Sequence, residues 1–150
     1  MLRLRPARAD ELPAVTELCL RSKAVWGYDA AFIAACRTEL TVTPDDLRGS
    51  CCVVAEQAGE AVGFAQVSVA GDTAVLDKLF IEPACLRSGI GRRLWVWAVE
   101  TAGRLGACRL LIDADPDAAD FYRRMGARLA GTAPSGSIPG RRLPRLALDL

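Results

Sequence analysis

Leu79-Phe80-Ile81-Glu82-Pro83, followed after a short gap by Arg87-Ser88-Gly89-Ile90-Gly91-Arg92-Arg93-Leu94, is the stretch on which the fold turns. An apolar, strand-like run stops at a proline. Two glycines then lead into a segment whose Ile90, Leu94, Trp97, Ala98, Thr101 and Leu105 recur at helical spacing. Glycine lets a backbone approach a ligand closely, and the free amides of a helix N-terminus favour an anion. Arg87, Arg92 and Arg93 add charged donors. A phosphate or pyrophosphate suits this turn; a turn that needs glycine for its shape alone is the competing reading. A Walker loop would need a lysine and a hydroxyl that are absent here. A dinucleotide fingerprint would need a third glycine where Leu94 stands, in a parallel unit.

The strands before the turn read as antiparallel. Cys51 to Ala55 is an apolar strand, Gln57-Ala58-Gly59-Glu60 a tight turn, Ala61 to Ala70 a second strand, and Thr73 to Ile81 a third. Upstream, Leu2 to Arg5 alternates as a short strand. Asp10 is placed to cap a helix carrying Leu12, Val15, Leu18 and Cys19, and a second helix starts from Asp29. Thr43-Pro44 adds one more helical turn. Downstream, Gly106 stops the helix that starts at Gly89, and Ala107 to Asp113 is a strand parallel to the third. Pro116 opens a short helix ending at Gly126, and two strands follow, about Ala127 to Thr132 and Leu143 to Leu150. The order β-α-α-β-β-β-α-β-α-β-β describes one mixed α/β domain over residues 1–150.

With 150 residues and 51% hydrophobic content, the chain can bury a core without staples. A net charge of +1 gives no basic field for nucleic acid. The N-terminal residues do not read as a signal peptide, and no apolar run is long enough for a membrane span. The 6 cysteines lack CxxC spacing and read as small buried hydrophobes in a reducing, cytoplasmic compartment. No metal site is expected. With no histidine in the chain, Ser-His-Asp and Cys-His machinery are excluded.

The segment Leu79 to Leu94 resembles the acyl-CoA-binding motif of the GNAT N-acetyltransferase superfamily. A second segment, Asp115, Ala118, Phe121-Tyr122 and Met125-Gly126-Ala127, is similar to that family's N-x-x-A-x-x-F-Y-x-x-x-G-F pattern. The resemblance implies a mostly antiparallel sheet of six to seven strands flanked by about four helices. It also implies acetyl-CoA as cosubstrate. Backbone groups of Leu79 and Ile81 would pair with pantetheine like an added strand, and amides from Arg87 through Ser88, Gly89, Ile90 and Gly91 to Arg92 would hold the pyrophosphate. The amide of Phe80 or Leu79 would polarise the thioester carbonyl. Leu86 stands where the family usually has Arg or Gln, and Asp115 where it has Asn.

By the same resemblance, Tyr122 is the candidate general acid for the leaving thiolate. Asp77, on the central strand just before the cofactor-binding residues, is the candidate general base; a solvent-facing strand carboxylate is the alternative. Glu82 is a weaker candidate. Trp26, Tyr28 and Asp29 border the expected acceptor pocket, where aromatic walls with a carboxylate would suit a cationic amine. The acceptor is a small-molecule amine or a protein amino group, and exposed C-terminal strands suit a homodimer. A non-catalytic acyl-CoA-binding module is the second reading, and a nicotinamide-dependent oxidoreductase the third.

Overall fold

The computed structural model describes residues 1–150. Leu2–Pro6 forms strand β1, and a 3₁₀ turn at Ala9–Glu11 leads into helix α1 (Leu12–Ala24). The capping differs from the sequence expectation. Asp10 lies inside the 3₁₀ turn, Glu11 precedes the helix, and Pro13 falls in the first turn, where its missing amide costs nothing. Helix α2 (Ala30–Leu40) does begin where Asp29 caps it, accepting from the Phe32 amide at 2.8 Å. Thr43 caps α3 (Pro44–Gly49) with proline at its start.

The meander follows as β2 (Cys51–Gln57), β3 (Glu60–Ala70) and β4 (Thr73–Ile81), all antiparallel. Helix α4 (Ile90–Arg104) crosses over to β5 (Arg109–Asp113), which runs parallel to β4. Helix α5 (Ala119–Arg124), β6 (Arg128–Pro134) and β7 (Arg142–Asp149) complete the chain. The strands form one seven-stranded sheet in the order β1-β2-β3-β4-β5-β7-β6, parallel only between β4 and β5. Five α-helices flank it, one more than the four expected, because the turn after Thr43 is a helix in its own right. No helix is long and apolar enough to cross a membrane.

The sheet is covered on both faces. Phe64 and Val54 pack with Leu12, Val15, Cys19, Cys36 and Leu40 of α1 and α2. Val67, Ala74 and Leu76 pack beneath Trp95, Ala98 and Ala102 of α4, together with Leu110, Ile112 and Leu146. Trp95 is buried and Leu105 is half exposed, so the buried stripe of α4 is rotated slightly from the one read off its spacing. Gly63 lets α4 sit close to β3: a Cβ there would stand 3.0 Å from Leu94 Cδ1 and 3.1 Å from Ile90 Cγ2. Only Cys19 and Cys36 are buried among the cysteines; Cys108 is exposed.

One irregularity positions everything that follows. Gln66 pairs with Lys78 but Val67 pairs with Leu76, so Asp77 is an extra residue bulged out of β4. The β4–β5 pairing also stops early, at Val75 with Leu111, whereas β5 stays paired with β7 along its length. Beyond Val75 the two parallel strands part, and a cleft opens between them.

Candidate active site

The cleft has a volume of about 820 Å³ and is walled by the second half of β4, the turn before α4, the start of α5 and the end of α1. Among the residues singled out by sequence, Asp77, Leu79, Phe80, Ile81, Arg87, Gly89, Gly91, Arg92, Asp115, Tyr122 and Trp26 line it. Ile90 points into the core at 2% exposure, and Ser88 turns its hydroxyl to the Cys85 carbonyl; neither lines the cleft.

The glycine turn is an unfilled donor array. The amides of Arg87, Ser88, Gly89, Ile90, Gly91 and Arg92 donate to no acceptor in the protein; the first satisfied amide is Arg93, bonded to the Gly89 carbonyl at 3.2 Å. Arg87 and Gly89 both adopt left-handed backbone, with φ of 62° and 86°, which curls successive N–H groups into a concave nest. Arg87, Arg92 and Arg124 line the same end and pair with no carboxylate. Arg124 escaped the sequence reading, because only the packing of α5 beside the turn brings it there. Leu86 is 43% exposed on the rim and contributes no donor.

Along β4 the main chain alternates. The Glu82 amide bonds to Val62 O at 2.8 Å, so alternation gives the Phe80 amide to β3 and turns the groups of Leu79 and Ile81 toward the parted edge. Of the two amides named for carbonyl polarisation, only that of Leu79 is therefore free. Ile81 is partly committed, since its amide donates to Ser22 Oγ at 3.2 Å. Next to that contact Arg21 grips Glu82 at 3.1 and 2.6 Å, which occupies the weaker candidate base with an ion pair. Ser22 and Arg21 thus dock the end of α1 on the end of β4.

Tyr122 is 6% exposed, set tilted against Trp95 at 5.6 Å and edge-on to Phe121 at 5.1 Å. Its hydroxyl has no hydrogen-bond partner within the protein yet is not sealed off, because it borders the cleft. Burial pushes its pKa above the ordinary phenol value, so it stays protonated at neutral pH. Asp77 keeps an exposed surface, but the surrounding cleft walls strip enough water to raise its carboxyl above the usual range; the polar groups of Ser68 and the nearby Lys78 pull the other way.

The residues expected around the acceptor are arranged differently from an open cage. Only Trp26, 44% exposed, lines the cleft. Asp29 is spent on capping α2. Tyr28 stacks on Phe32 at 4.0 Å and donates to Asp115 Oδ2 at 2.6 Å, while Arg141 donates to the Tyr28 oxygen at 2.6 Å. Lys23 reaches the same Asp115 oxygen at 3.5 Å. Asp115 is thereby enclosed by three side chains from two other segments.

The model of the acetyltransferase (GNAT) domain matches residues 48–126, just over half of the chain, from the end of α3 to Gly126 in the second motif. The protein belongs to the GNAT acetyltransferase family. No curated protein sequence matches it. Solved GNAT structures share its fold over nearly the whole length. The PaiA N-acetyltransferase of Thermoplasma acidophilum, in complex with coenzyme A, is 15% identical over 100% of this chain and 99% of that one, with a TM-score of 0.84. The ribosomal-protein-S18-alanine N-acetyltransferase of Escherichia coli is 20% identical over 99% and 94%, with a TM-score of 0.72. YncA of Salmonella typhimurium, solved with its cofactor acetyl-CoA, is 20% identical over 99% and 94%, with a TM-score of 0.68. At these identities the likeness to other GNAT structures establishes the fold.

Proposed function

We propose that this GNAT domain, working as one unit over residues 1–150, transfers acetyl from acetyl-CoA to a primary amine by direct attack on the thioester. The observation that carries this reading is the run of six unsatisfied amides, Arg87 to Arg92, on the same cleft as the unpaired edge of β4 at Leu79. A diphosphate joined to an extended chain of amides is the guest that such a surface suits. Acetyl-CoA has that form, and the thioester it brings supplies the activated acyl group.

The reaction forms an N–C bond and breaks a C–S bond, so one proton must leave the amine and one must reach sulfur. Asp77, ionised, accepts the amine proton directly or through a water. Its raised pKa makes it a better base than an ordinary carboxylate. The Leu79 amide holds the carbonyl oxygen as charge builds there. Tyr122, whose hydroxyl has no competing partner, delivers a proton to the departing sulfur. The guanidiniums of Arg87, Arg92 and Arg124 and the backbone nest anchor the phosphates. The six unpaired cysteines suit a cytoplasmic setting for this chemistry.

Release of CoA thiol across a panel of primary amines tests the proposal. Acetyl-CoA binding with amine-dependent thiol release supports it. Binding without release on any amine would leave a non-catalytic acyl-CoA module as the reading.

A further inference from the structure

We infer that the acceptor is an amine that also carries a carboxylate, and that Lys23 at the end of α1 binds that carboxylate. This rests on the acetyltransferase reading above and deepens it. The aromatic pair expected to receive a cationic acceptor is flanked by two cations of this chain. Lys23 Nζ lies 5.6 Å from the Tyr28 ring and 6.0 Å from that of Phe32, and the Arg141 guanidinium lies 5.2 and 4.9 Å from the same rings. Each cation is nearly equidistant from the two rings, so both sit beside the stacked pair, and neither ring lines the cleft.

The charges at this corner do not balance. Asp115 Oδ2 lies 3.5 Å from Lys23 and 3.7 Å from Arg141, and it also accepts the Tyr28 hydroxyl. It is the only carboxylate within ion-pair reach of either cation. Its side chain is 9% exposed, and those of Lys23 and Arg141 are 13% and 19% exposed. A partly buried site with two positive charges and one negative charge is stabilised by a second anion. Lys23 lines the cleft, so its spare donors are accessible to a ligand.

Lys78 repeats the imbalance across the cleft. It is 9% exposed, held to Gln66 Oε1 at 3.0 Å, and no carboxylate lies within 4.0 Å of it. The carboxylates that face it from farther off are Asp77 and Asp46. Asp77 is then the group that meets the acceptor ammonium. An amine and a carboxylate on one small molecule, as in an amino acid, match a wall that offers one carboxylate base and surplus ammonium groups.

The test compares kcat/KM for paired acceptors, each amino acid beside its carboxamide and its decarboxylated amine, in wild type, Lys23→Gln and Lys23→Arg. Wild type should favour the carboxylated member at least about tenfold. Lys23→Gln should bring the ratio close to one by raising KM for the acceptor, with KM for acetyl-CoA within about twofold, and Lys23→Arg should restore most of the preference. Equal or better turnover of carboxamides by wild type overturns the inference while leaving the transferase reading intact, as does a rise in acetyl-CoA KM alone in Lys23→Gln. Calorimetry with the same pairs on the CoA-loaded protein gives a readout free of turnover. Carboxylate-dependent binding lost in Lys23→Gln, without acetylation, supports the inference and removes the transferase reading; no preference in binding or turnover overturns it.

Discussion

The Tyr28 hydroxyl donates to Asp115 Oδ2 at 2.6 Å, joining residues 87 positions apart in the chain. The bond ties the segment between α1 and α2 to the loop between β5 and α5, and Arg141 extends the tie to the loop between β6 and β7. Three loops at one end of the cleft are thus held by a single carboxylate.

Removing this tie should cost stability in a non-additive way. Tyr28→Phe and Asp115→Asn should each lower unfolding free energy by about 1.5–3 kcal/mol, the range for hydrogen bonds to charged groups, and the double variant should cost less than the sum. Denaturant unfolding measures this. The tie also predicts an alkaline transition. Burial first, then the hydrogen bond to Asp115, push the Tyr28 phenol from 10.0 up to about 12. With the folded pKa raised, its contribution is complete below pH 10 and lost as pH climbs toward 12. Tyr28→Phe should flatten that loss.

The phosphate cradle should fail for different reasons at its two glycines. A Cβ at Gly91 would stand 3.0 Å from Ile81 Cδ1, so Gly91→Val crowds α4 against the cofactor strand. Gly89 has open space around it but a φ of 86°, so Gly89→Val strains the nest itself. Both should weaken acetyl-CoA binding by tenfold or more, and Leu86→Ala by less than about twofold. Equilibrium titration with CoA checks all three.

Tyr122→Phe removes a hydroxyl with no partner in the protein, so the fold should keep its melting temperature. A lost general acid lowers kcat by about 10²-fold or more, with KM for acetyl-CoA nearly unchanged. A variant whose kcat stays near wild type would dismiss Tyr122 from proton transfer.

Asp77 should govern the acid side of the pH profile. A base must be ionised, and this carboxyl titrates above the usual range, so kcat/KM should fall as pH drops through that raised value. Asp77→Asn should abolish that limb along with most activity. The same shift has a structural sign: ionising Asp77 is harder in the folded state than in the unfolded one. Asp77→Asn should therefore raise the melting temperature at neutral pH.

How much of this was legible beforehand varies with the kind of signal. The meander, the crossover to a parallel strand and the glycine turn were readable because local patterns set them: period-two apolar runs, Ala58-Gly59 with φ of 53° and 80°, and a helical stripe. The parting of β4 from β5 was not legible, since no residue in the strand announces a bulge at Asp77. The acceptor corner was the least legible. Trp26, Tyr28 and Asp29 are adjacent in sequence, yet one lines the cleft, one is tied to Asp115 and one caps a helix. Lys23, Ser22, Arg124 and Arg141 reach their places by long-range packing, which single-residue spacing does not encode.

Where β4 leaves β5, the sheet is joined across its middle by three residue pairs only, Thr73 to Val75 with Arg109 to Leu111. It behaves as two leaves, β1-β2-β3-β4 and β5-β7-β6, with α4 as the strap across their seam. The weakest line in the sheet thus runs through its centre rather than along its rim. Loosening Trp95, which bears on both leaves, would spread the leaves apart before either one came undone.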